Sequence, residues 1–192
     1  KHRVAFHESG HTLVAITVPT GEPVHKVSII PHGVAALGYT LQLPVQEKFL
    51  STEQELKDQI AILMGGRVAE EVVFGDVSSG AANDLERASE IARNMVKRLG
   101  MSKKLGALTY GKQEQLAFLG VASQEERNYS EETARLIDAE VKALIEEGYQ
   151  RAREILTNKR DLLDRLAKEL ETREVLSGEE VMAIAGEAKD EA

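Results

Sequence analysis

From residue 4 the sequence reads Val4-Ala5-Phe6-His7-Glu8-Ser9-Gly10-His11-Thr12-Leu13-Val14-Ala15-Ile16, an H-E-x-x-H pentad inside an apolar run. Nothing interrupts the run before Pro19, so it predicts a helix from about Val4 to Val18. Residues four apart on a helix lie about 40° apart around its axis, so the His7 and His11 imidazoles leave from one face. Two imidazoles placed this way can hold one zinc ion. Glu8 then lies beside the ion, where its carboxylate can take a proton from water. The alternative is an ordinary amphipathic helix with two polar residues on its rim. Apolar residues on every side of the pentad argue against that, because they mark a buried helix. Two histidines and a carboxylate in a buried helix need a compensating partner, and a metal ion supplies one.

Composition narrows the function classes. The chain has 192 residues, enough for one well-filled core, or a core with a helical extension. Its 24 Lys+Arg against 32 Asp+Glu give a formal charge of -8, which disfavours nucleic acid as a partner. Aromatic residues make up only 4% and Trp is absent, so a base-stacking surface is also disfavoured. Without cysteine there is neither a disulfide framework nor a thiolate-ligated zinc, and a reducing compartment fits. The apolar runs are too short to span a bilayer, and no secretory signal is visible. Because the sequence opens so few residues before the pentad, it reads as a piece of a longer polypeptide.

Beyond the first helix, Thr20-Gly21-Glu22-Pro23 reads as a turn, followed by strands over Val24–Ile30 and Leu37–Leu43. His25 and His32 flank the first of these strands and read as solvated strand-end residues, since neither keeps helical spacing with the pentad. Ser51 or Thr52 caps a helix whose stripe runs Leu56, Ile60, Leu63, Arg67, Glu70, Phe74. Gly65-Gly66 weakens that helix internally and marks close packing, with the pentad helix as the expected neighbour. A loop of small residues, 75–82, leads into a helix from Asn83-Asp84 to Leu99. Leu105–Tyr110 reads as a short strand and 113–128 as a polar loop. Within that loop Leu116-Ala117-Phe118-Leu119 is an apolar patch that either tucks into the core or meets a neighbouring subunit. Ser130 and Thr133 open a long helix ending near Asn158; Asp161–Leu170 is a further helix, and Ser177-Gly178-Glu179-Glu180 caps a last one over Val181–Ala185.

A catalytic zinc takes three protein ligands and keeps one open position. The pentad supplies two. Asp76, Asp84, Glu70 and Glu71 are the candidates for the third, and spacing alone does not choose among them. Glu70 and Glu71 have other readings too: support for a ligand histidine, or an ion pair with Arg67.

Three blocks in order, His7-Glu8-Ser9-Gly10-His11, Gly65-Gly66-Arg67-Val68-Ala69-Glu70-Glu71 and Ser79-Gly80-Ala81-Ala82-Asn83-Asp84, resemble the peptidase domain of the FtsH-type AAA+ metalloproteases. Asn94-Met95-Val96, Gly100-Met101-Ser102 and Asn128-Tyr129-Ser130-Glu131-Glu132 extend the resemblance along the whole chain. Ser9 stands where the family more often has Ala. The resemblance implies that Asp84, in the Asn-Asp pair, is the third zinc ligand beside His7 and His11. It also implies that Glu8 is the catalytic base and Glu70 a support near the zinc.

The expected fold is mainly α, a helical metallopeptidase domain over 1–192 with a small β-element near the site and a helical C-terminal part from about residue 130 to 192. The expected function is zinc-dependent endopeptidase action, with one Zn²⁺ per chain, on unfolded or misassembled polypeptides in protein quality control. Family likeness further implies a homo-hexamer, an ATP-driven AAA+ unfoldase module in the same parent chain, and a membrane anchor. The peptidase domain would face the cytoplasm, or the matrix or stroma in an organelle. No G-x-x-x-x-G-K-[ST] occurs, so the piece itself is expected to be soluble and to cut short or already unfolded peptides without ATP. Two other classes compete with this reading: an inactive assembly module, which the intact Glu8 disfavours, and an unrelated metal-binding helical protein.

Overall fold

The computed structural model describes residues 1–31, 38–43, 50–113 and 125–190. It is mainly α. The elements run α1 (His2–Thr17), β1 (Val24–Ser28), β2 (Tyr39–Gln42), α2 (Glu53–Phe74), a 3-10 turn (Ser79–Ala81), α3 (Ala82–Lys97), β3 (Lys112–Gln113), β4 (Glu125–Glu126), α4 (Glu131–Asn158), α5 (Arg160–Arg173), β5 (Val175–Ser177) and α6 (Gly178–Asp190).

Helix α1 is central. Every residue from Ala5 to Ala15 is buried, so the helix has no solvent face over that span. It crosses α2 at a point where both chains carry glycine. A Cβ on Gly10 would lie 2.4 Å from the Gly65 carbonyl oxygen, and one on Gly65 would lie 2.8 Å from that of Gly10. The two backbones therefore touch, and a side chain at either position would force the helices apart. Around this crossing α4 and α5 close a single core, in which Leu13 and Ile60 share a cluster with Ala152, Leu156, Leu163, Leu166 and Leu170.

The helix starts are set by local chemistry. Thr52 and Glu55 form a reciprocal capping box on α2, the Glu55 N–H donating to Thr52 Oγ1 and the Thr52 N–H to Glu55 Oε2. Ser130 accepts from the Thr133 N–H at the start of α4. Ser177 and Glu180 repeat the reciprocal box before α6, which then runs well past the expected Ala185. Gly75, at φ 66°, ends α2 in the left-handed conformation that glycine adopts without strain.

Strand β1 is the middle of a three-stranded antiparallel sheet with β2 and β5 on its flanks. Buried Val27 faces Thr40 on one side and Leu176 on the other, which fixes where β2 sits against α1. Strand β5 carries no sequence signal of its own: three residues are too few to show alternation, and only pairing with β1 makes them a strand. Both expected N-terminal strands are shorter in the structure, and residue 37 lies outside the described residues.

The strand expected over Leu105–Tyr110 is not formed. The backbone groups a ladder would need are used locally: the Gly106 N–H donates to the Ser102 carbonyl, the Leu105 N–H to Ser102 Oγ, and Tyr110 O–H to the Leu105 carbonyl. Leu105 is buried instead in a small cluster with Val96 and Ile137. A two-residue pairing of β3 with β4 follows it. The Leu116-Ala117-Phe118-Leu119 patch and His32 lie outside the described residues.

Candidate metal centre

Helix α1 presents His7 and His11 toward α2, each 8% exposed, with ring centroids 4.8 Å apart. Their outer nitrogens have acceptors. His7 Nδ1 lies 2.8 Å from Glu70 Oε1, and His11 Nδ1 lies 2.7 Å from the Ile62 carbonyl oxygen. A carbonyl can only accept, and so can an ionised carboxylate. Burial pushes the Glu70 carboxyl up, but hydrogen bonds from Arg3, His7 and Ser78 outweigh it and hold the group below the usual range. Glu70 is therefore an ionised acceptor, and both Nδ1 atoms carry protons. In the neutral rings this leaves lone pairs on the two Nε2 atoms, which lie 3.1 Å apart with no proton to share between them.

Asp84 completes the cluster from the first turn of α3. Its Oδ2 lies 3.5 Å from His7 Nε2 and 3.3 Å from His11 Nε2. The three ligand atoms fall within 4.8 Å of one another, and no other such group occurs among the described residues. Burial disfavours the Asp84 charge, but His11 and His7, whenever a proton occupies their Nε2 atoms, donate to it and attract it, and so hold the carboxyl far below its ordinary range. For His11, burial disfavours the cation, yet Asp84, Glu8 and the Ile62 carbonyl together raise its pKa. Both directions say that the space between these side chains prefers positive charge.

One residue of α2 makes room for such a charge. A Cβ on Gly66 would lie 2.5 Å from both His7 Nε2 and His11 Nε2. The cradle is thus two imidazole lone pairs and a carboxylate oxygen, with a glycine opposite. This donor set suits Zn²⁺, which takes nitrogen and oxygen ligands in this number when it keeps an open position.

Glu8 is 6% exposed, and its Oε2 accepts from Thr40 Oγ1 at 3.0 Å. Burial raises its pKa against the opposing pull of His11, His7 and the Thr40 hydrogen bond, while Asp84 raises it further. A carboxyl shifted upward is better suited to take up and release a proton near neutrality.

The remaining candidates are engaged elsewhere. Asp76 is an exposed side chain that accepts from the Val77 N–H and lies 3.9 Å from Arg3. Glu71 accepts from Tyr149 O–H and Arg153 of α4. The pairing of Glu70 with Arg67 is corrected: its arginine is Arg3, at 2.9 Å, one turn before His7 on α1. That residue could have been found, since Arg3 and His7 share a helix face. His25 is exposed on β1. Thr40 and Gly66 are site residues that the sequence does not mark as such. Thr40 carries no local signal, whereas the Gly65-Gly66 pair signals close packing alone.

The chain is similar to known proteins along nearly its whole length. The model of a family described as peptidase family M41 matches residues 1–184. The chain is 73% identical over 188 residues to the ATP-dependent zinc metalloprotease FtsH of Methylococcus capsulatus, covering 98% of this chain and 30% of that protein. It is 54% identical over 187 residues to the protein of the same name from Thermotoga maritima, covering 97% and 31%. Against the ATP-dependent zinc metalloprotease FtsH 4 of a Synechocystis species it is 49% identical over 190 residues, covering 98% and 30%. The chain thus spans about three tenths of the length of these relatives.

Proposed function

This chain belongs to peptidase family M41, and on that premise we propose that it is a zinc-dependent endopeptidase domain whose metal ligands are His7, His11 and Asp84 and whose catalytic base is Glu8. The observation that carries the reading is the convergence of two Nε2 lone pairs and the Asp84 carboxylate on one glycine-walled space, with both Nδ1 protons already donated elsewhere. Glu70 acts as the support for His7: its hydrogen bond to Nδ1 sets the tautomer and the ring orientation.

Zinc, when bound, supplies a Lewis acid that lowers the pKa of water and polarises the scissile carbonyl. The chain's own residues do the rest. Glu8, buried and raised in pKa, accepts the proton of the attacking water and returns it to the leaving amine. The fixed Nδ1 donors of His7 and His11 set the tautomer that leaves their Nε2 atoms available as ligands. Asp84, ionised under all ordinary conditions, lowers the net charge of the centre and offers an anionic ligand.

The wider setting is also part of the proposal. The relatives' printed names include ATP dependence, and this chain matches only a fraction of their length. We therefore read residues 1–192 as one peptidase domain of a larger protease, with its helical C-terminal part over 130–192. In that protease an AAA+ module in the parent chain delivers unfolded polypeptides to a membrane-anchored homo-hexamer for quality control. The peptidase domain then faces the cytoplasm, or the matrix or stroma in an organelle. Among the described residues no helix is long and apolar enough to cross a membrane.

The test is zinc content together with hydrolysis of a quenched peptide. Glu8→Gln should retain about one zinc per chain and lose at least about 10²-fold in kcat, the scale of a general-base contribution. Asp84→Ala should lose zinc during dialysis against chelator. Full peptide cleavage by Glu8→Gln would remove that residue from the mechanism, and unchanged zinc retention in Asp84→Ala would remove that ligand.

A further inference from the structure

Resting on the reading of Glu8 as base, we propose that strand β2 and the glycine just before it form a positioning clamp for that carboxylate, with Thr40 holding one oxygen and Gly38 admitting the other. Glu8 has a long side chain, and α1 fixes only its backbone. The one hydroxyl that reaches its carboxylate among the described residues comes from β2, where Thr40 Oγ1 lies 3.0 Å from Glu8 Oε2. Thr40 has a single proton and two further acceptors within range, the Glu8 backbone carbonyl at 3.3 Å and Thr12 Oγ1 at 3.4 Å. That carbonyl already receives the Thr12 hydroxyl at the shorter distance of 2.8 Å. Oε2 is the nearest of the three and the one carboxylate oxygen among them, so it takes the Thr40 proton.

Gly38, just before β2, stands against the other oxygen. A Cβ there would lie 2.9 Å from Glu8 Oε1, 2.9 Å from Glu8 Cγ and 2.8 Å from the Ser28 carbonyl oxygen. No larger residue fits without displacing the carboxylate or opening the strand pair. The clamp has a rigid mount: Thr40 faces Val27, which is fully buried, so the register of β2 on β1 sets its height above α1. Thr40 does not touch the reacting atoms. It orients the group that does, and misplacing a catalytic group by about 1 Å can cost 10²-fold in rate.

The experiment compares Thr40→Val and Thr40→Ser in the zinc-loaded chain, reading kcat, KM, zinc content and melting temperature. Valine keeps the branched shape and removes the hydroxyl; serine keeps the hydroxyl. Thr40→Val should lower kcat by about 10- to 100-fold with KM within about twofold. It should keep its full zinc complement and its fold, and Thr40→Ser should recover kcat to within about threefold of wild type. Gly38→Ala, which crowds Oε1, should lower kcat in the same way. In a Glu8→Gln background Thr40→Val should have no further effect, because the two act as one unit. A Thr40→Val enzyme with wild-type kcat, or a loss that serine does not rescue, would overturn the clamp. So would a loss that follows zinc or stability. If Glu8→Gln itself stays fully active, the base assignment fails first, which separates the two claims.

Discussion

Replacing Gly66 by alanine should deprive the candidate centre of its ion while leaving the helices in place. The added Cβ would sit 2.5 Å from each Nε2 and 2.6 Å from His7 Cε1. Non-bonded contacts between heavy atoms are comfortable at roughly 3.5 Å, so each ring must retreat by about 1 Å. Neither ring can do so freely, because Glu70 and the Ile62 carbonyl hold the far nitrogens. Zinc–nitrogen bonds tolerate only about 0.2 Å of error, so a shift of that size removes at least one ligand. Zinc affinity should fall by at least about 10²-fold, or roughly 3 kcal/mol.

The metal-free fold should suffer less. Overpacking costs about 1–3 kcal/mol, and alanine in place of glycine within a helix returns about 1 kcal/mol. The melting temperature with chelator present should therefore stay within about 8 °C of wild type. Competition against a chromophoric chelator measures the affinity, and melting curves with and without zinc measure the fold. Gly186→Ala is the control: its Cβ meets nothing within 4 Å, so zinc binding should be unchanged. A Gly66→Ala chain that binds zinc as tightly as wild type would refute the placement of the ion between these rings.

Two further expectations follow from the same contacts. Zinc at about 10³ times its dissociation constant should stabilise the chain by about 4 kcal/mol, raising the melting temperature by roughly 8–16 °C over the chelated form; coincident melting curves would contradict a folded-state zinc site. Asp58 is 1% exposed and accepts from the Thr20 N–H and O–H, from Gln54 and from Arg151, tying α2 to the turn after α1 and to α4. Burial raises its pKa, but these donors outweigh burial and bring it below the ordinary value. A lowered carboxylate contributes stability above its unfolded pKa and loses it as pH falls through the folded one. Asp58→Asn should therefore destabilise the chain by about 2–3 kcal/mol at neutral pH, and the gap should close below about pH 4. A gap that is constant with pH would show that charge is not its origin.

What could be read from the sequence was local. The pentad helix was legible because spacing and burial both lie within one run of residues. So were the Thr52, Ser130 and Ser177 caps, each a hydroxyl three residues before its partner. The glycine pair told of close packing, and Gly65 does pack on Gly10. What failed to show was fixed by distant partners. Strand β5 exists through its register with β1, Thr40 meets Glu8 only because β2 is laid beside that strand, and Arg3 reaches Glu70 only after α1 and α2 cross. Asp84 illustrates the boundary: residue chemistry left four candidates, resemblance chose one, and the fold brings that carboxylate beside the two rings. Leu105–Tyr110 reads as a strand from its apolar residues, but the same residues suit a turn that buries Leu105 and leaves Leu108 exposed.

Glu70 explains how parts so far apart in sequence can present a formed centre. Its carboxylate accepts four hydrogen bonds: from Arg3 and His7 of α1, and from the N–H and O–H of Ser78 just before the 3-10 turn that leads into α3. One buried anion thus joins the helix carrying both histidines to the segment that delivers Asp84. A neutral or shorter residue there would release three elements together, and the loss would reach Asp84 although the two carboxylates serve different partners. Arg3 has a matching part, since without its charge the same burial that now encloses Glu70 would favour protonation and the loss of an acceptor. On the proposed reading the centre therefore depends on an ion pair outside it. The free energy of ordering the three segments is met by folding and not by the metal, so zinc would enter a site already arranged to receive it.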